Sequence, residues 1–470
     1  MSFPSTITAP ALAALDGVRR SVYWLDRADR PEPRPPLRGA TRADLVVIGA
    51  GFSGLWTAYL ATERYPGIDV VLLDGGRVAH GASGRNGGFV AATLTHGVAN
   101  GLDRWPRDMP EISRLAMGNL DAIQATIEGE AIECDFRRVV ELSAAVEPYQ
   151  VAGIPAAIEE AARAGVTLQE LDAEATRARV DSPTYLGSLM DPEGVALADP
   201  ARFAWGLAAA CERRGVRVHE LSPVRGVQRD GATVEVRSDH GVVTADRVAL
   251  ATSAYPPLLR RLGWYVLPVY DSVLMTEPLT AEQRASIGWG DREAMTDLGN
   301  QFHYYRVTED GRILWGGYDA SYYGDFGPHR EHNPEALALL SQHFLWTFPQ
   351  LEGIRFTHGW SGAIDTCSRF SAFWGTALDG RVAYSLGFTG LGVGASRFGA
   401  QVRLDRLWGE RTERTELEMV RRKPLPFPPQ PLRSIGVGIT RWSISRADEH
   451  QGRRNAWLRT LDALGLGFDS

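Results

Sequence analysis

An α/β fold, α+β over the whole chain, is what these 470 residues predict: a parallel-sheet domain interrupted by an inserted antiparallel one. Three observations predict it. The apolar run Asp44–Ile48 enters a glycine turn at Gly49–Gly54, a helical stretch to about Glu63 and a second apolar run at Asp69–Leu73. Strand, turn, helix and strand within about 30 residues make a βαβ unit, whose strands must lie parallel. Second, an α/β pattern returns at Arg381–Leu386, where a glycine-rich turn opens a helix to about Trp408. Third, residues 263–375 hold 20 of the 43 aromatics and carry strand-like pieces, which reads as a separate antiparallel sheet.

In chain order, Pro31–Pro36 cannot continue a helix and is an extended lead-in. Spaced apolar positions predict helices over 111–132, 155–164 and 200–214, the last ended near Gly215. Short β runs follow at Val216–His219, Val224–Val227, Ala232–Arg237 and Val242–Thr244, and Arg247–Thr252 is a buried strand. The aromatic region supplies strands at Val266–Thr276, Gln301–Val307 and Arg312–Gly317. Residues 422–435 are proline-rich, the stretch Leu432–Ile444 after Pro431 is compatible with an amphipathic surface helix, and a short helix is predicted around Ala447–Leu464. The expected domains are a lead-in (1–42), a discontinuous nucleotide-binding domain (43–140, 195–262 and 376–420), a substrate domain (141–194 and 263–375) and a tail (421–470) that docks back on the body.

Composition narrows the function. With 44% hydrophobic and 23% charged residues the chain is an ordinary globular protein, and a net charge of −7 argues against nucleic acid or an anionic membrane as the main partner. No apolar run is long enough to span a bilayer, and the first 25 residues lack the pattern of a secretion signal. Cys134, Cys211 and Cys367 are too far apart for a disulfide scaffold or a local zinc clip, so a reducing, cytoplasmic setting is expected. His80, His96, His219 and His358 lack metal-ligand spacing, and no metal site is expected. Lys423 is the single lysine among 50 basic residues, so any step that needs an amine from the protein has one candidate, near the C-terminus.

The turn Gly49-Ala50-Gly51-Phe52-Ser53-Gly54 matches G-x-G-x-x-G between a strand and a helix. Gly49 permits the tight turn, Gly51 lets a pyrophosphate approach the backbone, and Gly54 lets helix and strand pack closely. The helix N-terminus offers unpaired N–H groups to phosphates. Asp74, 20 residues after Gly54, is placed to accept hydrogen bonds from a ribose. Together these make a Rossmann-like dinucleotide site. Within ten residues comes Gly81-Ala-Ser-Gly-Arg-Asn-Gly-Gly88, backbone suited to lie against a second part of the same ligand.

These motifs resemble the glycine/D-amino acid oxidase family of FAD-dependent oxidoreductases, and within it the gamma-glutamylputrescine oxidase branch. The matching pieces are Ala43–Leu55, Gly81–Gly88, Asp246–Thr252, Arg306–Gly317, Gly359-Trp-Ser-Gly362 and Gly387–Val393, in family order. The resemblance implies FAD as cofactor. Its pyrophosphate would be held by Gly49, Ala50, Gly51, Phe52, Ser53 and Gly54, and its ribose by Asp74. Ala82, Ser83, Arg85, Asn86 and Gly87 would run beside the flavin and ribityl chain, Val224 would meet adenine, and Ala251 and Thr252 would flank the pyrophosphate turn. Gly390, Leu391, Gly392 and Val393 would start a helix facing the flavin O2, where a helix N-terminus stabilises negative charge.

Departures from the family pattern are informative. Cys367 falls several residues beyond the position of the cysteine tether of sarcosine-oxidase-like members, and Arg85 stands near the histidine tether of others, so non-covalent FAD is expected. The lysine that grips a substrate carboxylate in such members is Gly394 here, which weakens a simple amino-acid substrate. On the substrate side, Gln301–Arg306 alternates with a period of two, putting Phe302, Tyr304 and Arg306 on one face and His303 and Tyr305 on the other. Tyr304, Arg306 and Trp360 are the catalytic-site candidates, with core packing as the alternative for the aromatics and a buried ion pair for Arg306. The loop cluster Tyr318, Tyr322, Tyr323, His329, Arg330 and His332 is a specificity candidate. The function expected is oxidation of the C–N bond of a primary or secondary amine by hydride transfer to flavin N5. An imine, then aldehyde and amine or ammonia, and H2O2 would result. The alternative is an amine or amino-acid dehydrogenase that passes electrons to a quinone or carrier instead of O2.

Overall fold

The computed structural model describes residues 3–467. Two sheets organise it. In the first, the order is Phe373–Ala377, Val382–Leu386, Gly241–Leu250, Gly39–Ile48, Val70–Leu73 and Arg217–His219. The last five of these strands are mutually parallel, as the βαβ pattern requires. A hairpin, Val224–Asp230 and Thr233–Ser238, hangs antiparallel from Gly241–Leu250. The helices Phe52–Arg64, Pro200–Arg213 and Gly392–Trp408 join this sheet in one core, with Leu55, Trp56, Phe203 and Leu404 buried. Apolar residues all around a parallel sheet are what helix cover on its faces demands.

The second sheet has nine strands. Its main path is Phe356–Thr366, Leu267–Thr276, Ile313–Gly317, His303–Val307, Ala294–Asp297, Arg137–Ala145, Gly187–Leu197 and Phe89–Ala91, with Gln169–Asp172 paired to Gly187–Leu197. It is mixed where a purely antiparallel sheet was expected. Ala294–Asp297 runs parallel to Arg137–Ala145, because those partners come from separate passes of the chain, 153 residues apart at Ser143 and Thr296. Two further differences are local. The runs at 242–244 and 247–252 form one strand, Gly241–Leu250. The tail holds two helices: Leu432–Glu449 takes in the stretch 432–444 that the sequence allows as an amphipathic helix, and Ala456–Ala463 is shorter than the helix expected at 447–464. The glycines and β-branched residues of the first are weak helix formers, and contact with the body outweighs that propensity.

The tail is stitched to the body. The Asp448 carboxylate accepts from the Asn300 and Gln301 backbone N–H groups and from Asn300 Nδ2 at 2.7–3.0 Å, Arg441 pairs with Asp319, and the Phe427 N–H donates to the Trp264 carbonyl at 2.7 Å. Among the described residues no helix is long and apolar enough to cross a membrane.

Candidate active site

A cavity of about 2070 Å3 opens where the parallel strands end, and the second sheet roofs it. Ordinary single-ligand pockets run to about 300–1000 Å3, so this one has room for a dinucleotide and a second molecule. Its floor is the glycine turn. Gly51 caps the helix Phe52–Arg64, and the Phe52 N–H donates to Ser83 Oγ at 2.8 Å. A Cβ on Gly51 would stand 2.7 Å from that hydroxyl, and one on Gly54 would fall on the Gly49 carbonyl oxygen. Only glycine keeps this cradle open. Asp74 accepts from the Ala50 N–H at 2.6 Å and the Gly76 N–H at 2.7 Å. Burial pushes its carboxyl upward while those two N–H groups hold it down. Concave backbone with no Cβ, a helix N-terminus and an acid at the end of the second strand fit a dinucleotide.

The loop Arg85–Gly88 is held from behind. Trp360 Nε1 donates to the Arg85 carbonyl at 2.8 Å, and Trp24 Nε1 to the Asn86 carbonyl at 2.9 Å. Arg306 Nη1 reaches the Gly87 and Gly88 carbonyls at 3.5 and 3.4 Å and anchors on the Ala198 carbonyl at 2.7 Å. Asn86 closes the loop on itself, donating to the Ala82 and Ser83 carbonyls while its Oδ1 accepts from the Gly88 N–H. Arg85 reaches sideways to Glu331 at 2.9 Å and to the Ser361 carbonyl at 3.2 Å. Four successive carbonyls are therefore turned away to protein donors, as buried backbone requires.

On the roof, the Tyr304 ring sits against Gly87 and Gly316, where an added Cβ would come within 2.8 and 2.6 Å of it. Its hydroxyl donates to Asp271 Oδ2 at 2.5 Å. Burial pushes Asp271 up to about 6, against the pull of that bond, and raises the Tyr304 hydroxyl well above its ordinary value, so the proton stays on tyrosine. Glu141 and Asp191 also line the cavity, directly opposite each other in neighbouring strands. Asp191 Oδ1 is satisfied by the Glu193 and Gly194 N–H groups, whereas burial and the Asp191 charge push Glu141 up to about 7.

The residues expected to hold the dinucleotide come together. Gly49, Gly51, Phe52, Ser53, Asp74, Ala82, Ser83, Arg85, Asn86, Gly87, Val224, Ala251, Thr252, Gly390, Leu391, Gly392 and Val393 line the cavity; Ala50 and Gly54 stand just behind its wall. Gly390–Val393 form the start of the helix Gly392–Trp408, whose positive end faces inward. The three catalytic-site candidates divide. Tyr304 lines the cavity, but Arg306 and Trp360, 1% and 2% exposed, lie behind the glycine loop and act on it as positioning residues. Arg306 shares the Tyr304 face of its strand, as the alternation predicts, yet its guanidinium passes under Gly88 toward Asp135, 3.6 Å away. Of the loop cluster, Tyr318 lines the cavity, and Arg330 is taken by Asp325 and the Tyr323 ring. Asp271, Glu141, Asp191 and Trp24 were not anticipated. Asp271 and Glu141 were signalled by a lone charge inside apolar β runs, Val269-Tyr-Asp-Ser-Val273 and Val139-Val-Glu-Leu142.

Comparison with known proteins bears on this geometry. A family model described as FAD dependent oxidoreductase, DAO, matches residues 44–402. Gamma-glutamylputrescine oxidoreductase of Escherichia coli is 31% identical over 403 residues, covering 83% of this chain and 89% of that protein. A probable oxidoreductase of Haemophilus influenzae is 28% identical over 399 residues, 83% of this chain and 88% of that one. Among solved structures, glycine oxidase from Geobacillus kaustophilus superposes with a TM-score of 0.68 at 17% identity, over 81% of this chain and 99% of its own. Iminodiacetate oxidase from Chelativorans sp. BNC1 gives 0.65 at 18%, over 81% and 98%, and these two likenesses speak to the fold alone. The chain thus belongs to the DAO family of FAD-dependent oxidoreductases, and FAD is the dinucleotide its cradle serves.

Proposed function

We propose that this enzyme oxidises the C–N bond of a primary or secondary amine. The observation that carries this is the roof. On the roof beside Tyr304 the cavity lining includes Asp271, Thr296 and Ser143; of the arginines that also line the cavity, Arg85 is paired with Glu331 and Arg441 with Asp319, and the strand's own Arg306 is held by the loop behind. Such a wall favours an ammonium group over a carboxylate at Tyr304. Asp271, ionised above about pH 6, draws the amine in, and Tyr304, fixed by Gly87, Gly316 and Asp271, sets its orientation. The apolar surroundings favour the neutral amine once bound, whose lone pair assists loss of the neighbouring C–H as hydride. FAD, when bound, supplies the two-electron acceptor at flavin N5. Water then hydrolyses the imine to an aldehyde and ammonia or a smaller amine. Cys367 turns its thiol to the Ser371 and Gly387 carbonyls, which supports FAD held without a covalent bond.

Anaerobic addition of aliphatic amines should bleach the visible flavin band. Bleaching by amino acids with none by amines would overturn the proposal. One observation favours a dehydrogenase over an oxidase that makes H2O2: Lys423 is exposed and away from the cavity wall, so no lysine stands ready to promote attack by O2. Turnover with a dye acceptor far faster than with O2 would identify the dehydrogenase.

A further inference from the structure

The far end of the roof carries an electrostatic debt that the amine reading leaves unused. Glu141 and Asp191 are register partners in antiparallel strands, which puts their Cβ atoms about 4.5–5.5 Å apart on one face, an arrangement that disfavours two like charges. Both face the cavity. The Asp191 oxygen Oδ1 has its two backbone donors, but among the described residues Glu141 has no hydrogen-bond donor and no cation beside it; burial and Asp191 are what act on it. In a chain with 49 arginines that pair with acids throughout the body, two carboxyl groups side by side on a cavity wall with no basic side chain paired to either among the described residues stand out. What they lack is a positive charge.

Register gives the distance. Tyr304 pairs with Thr296, Thr296 with Ser143, and Glu141 lies two residues from Ser143 on the same face. Two strand spacings of about 4.8 Å and a rise of about 6.7 Å along the strand put Glu141 about 12 Å from Tyr304. We infer that Glu141 and Asp191 form a subsite for a second, distal ammonium group, so that the substrate is a long amine with a cationic group at each end. This rests on the amine reading and adds to it which amine: one chain spans from Asp271 and Tyr304, where it is oxidised, to Glu141 and Asp191, where its far end is held.

The test compares octylamine, diaminobutane, diaminooctane and ω-aminooctanoate on the FAD-loaded enzyme, by anaerobic flavin bleaching and by calorimetric binding. Diaminooctane should half-saturate at a concentration at least tenfold below octylamine, with diaminobutane, too short to span, near octylamine and ω-aminooctanoate weakest. In Glu141→Gln the ratio of octylamine to diaminooctane should fall to within about threefold. Asp191→Asn, whose side-chain oxygen can still accept from the Glu193 and Gly194 N–H groups, should move it in the same direction. Equal half-saturation by octylamine and diaminooctane, or a ratio unchanged in both variants, would overturn the inference while leaving amine oxidation standing. Calorimetric binding of diaminooctane that depends on Glu141, with no bleaching by any amine, would keep the subsite and remove the proposed reaction.

Discussion

Tyr304→Phe removes one hydroxyl and nothing else from the roof, and its effect should depend on pH in a direction the structure sets. The lost bond, 2.5 Å long, is made to a carboxyl that is ionised at neutral pH, and such bonds contribute about 1.5–3 kcal/mol. Once the hydroxyl is gone, Asp271 should titrate about 1–2 pH units higher than its present value of about 6. The folded value lies above the ordinary 3.8, so the stability this carboxyl contributes is complete below about pH 4 and is lost as pH rises through its folded value. In the wild type that loss runs from about pH 4 and is complete just above pH 6; in the variant it continues up to about pH 7–8. At about pH 9.5, above both folded values, both proteins carry the carboxylate and the variant lacks the full charge-assisted bond. At pH 5 both carry the neutral acid, and the difference shrinks to an ordinary hydrogen bond of about 0.5–1.5 kcal/mol. Urea unfolding of the two proteins at pH 5 and about pH 9.5 should therefore give a penalty about 1–2 kcal/mol larger at the higher pH. Glu141 and Asp365, which burial also raises, are present in both proteins and cancel in the difference. A penalty equal at the two pH values would refute the assignment of Asp271 as the ionised partner.

Further outcomes follow from the cradle. Gly54→Ala places a methyl on the Gly49 carbonyl oxygen, and the purified variant should be colourless and fail to take up added FAD. Trp360→Phe leaves the buried Arg85 carbonyl without its donor, a cost of about 1–3 kcal/mol; if the loop relaxes to recover it, FAD titration should show a Kd roughly tenfold to a hundredfold higher. Acid precipitation of the wild type should leave the flavin in the supernatant; yellow colour in the pellet would show a covalent bond.

The glycine turn was legible in the sequence because everything that defines it is local: strand, turn, helix and the acid 20 residues on. Tyr304 was legible for a similar reason, since strand alternation assigns a face without knowledge of the partner. Arg306 and Trp360 show where that stops. Their side of the strand follows from alternation, but whether a side chain reaches the cavity or the back of the loop depends on where residues 85–88 pack, and those lie 219 and 275 residues away. The acids of the roof were harder still. A single Asp or Glu in a β run reads as a solvent-facing position until the sheet is known to be covered, and only the strand register brings Glu141 and Asp191 face to face.

The grip on the carbonyls of Arg85–Gly88 also has a consequence for how the protein matures. Its three donors come from the lead-in at Trp24, from the middle of the chain at Arg306 and from the strand Phe356–Thr366. A nascent chain that has emerged only through its first βαβ unit would own the phosphate-binding glycines but no backing for the loop that follows them. Firm flavin binding during synthesis should thus wait until the chain has emerged beyond residue 393, since Gly390–Val393 line the same cavity.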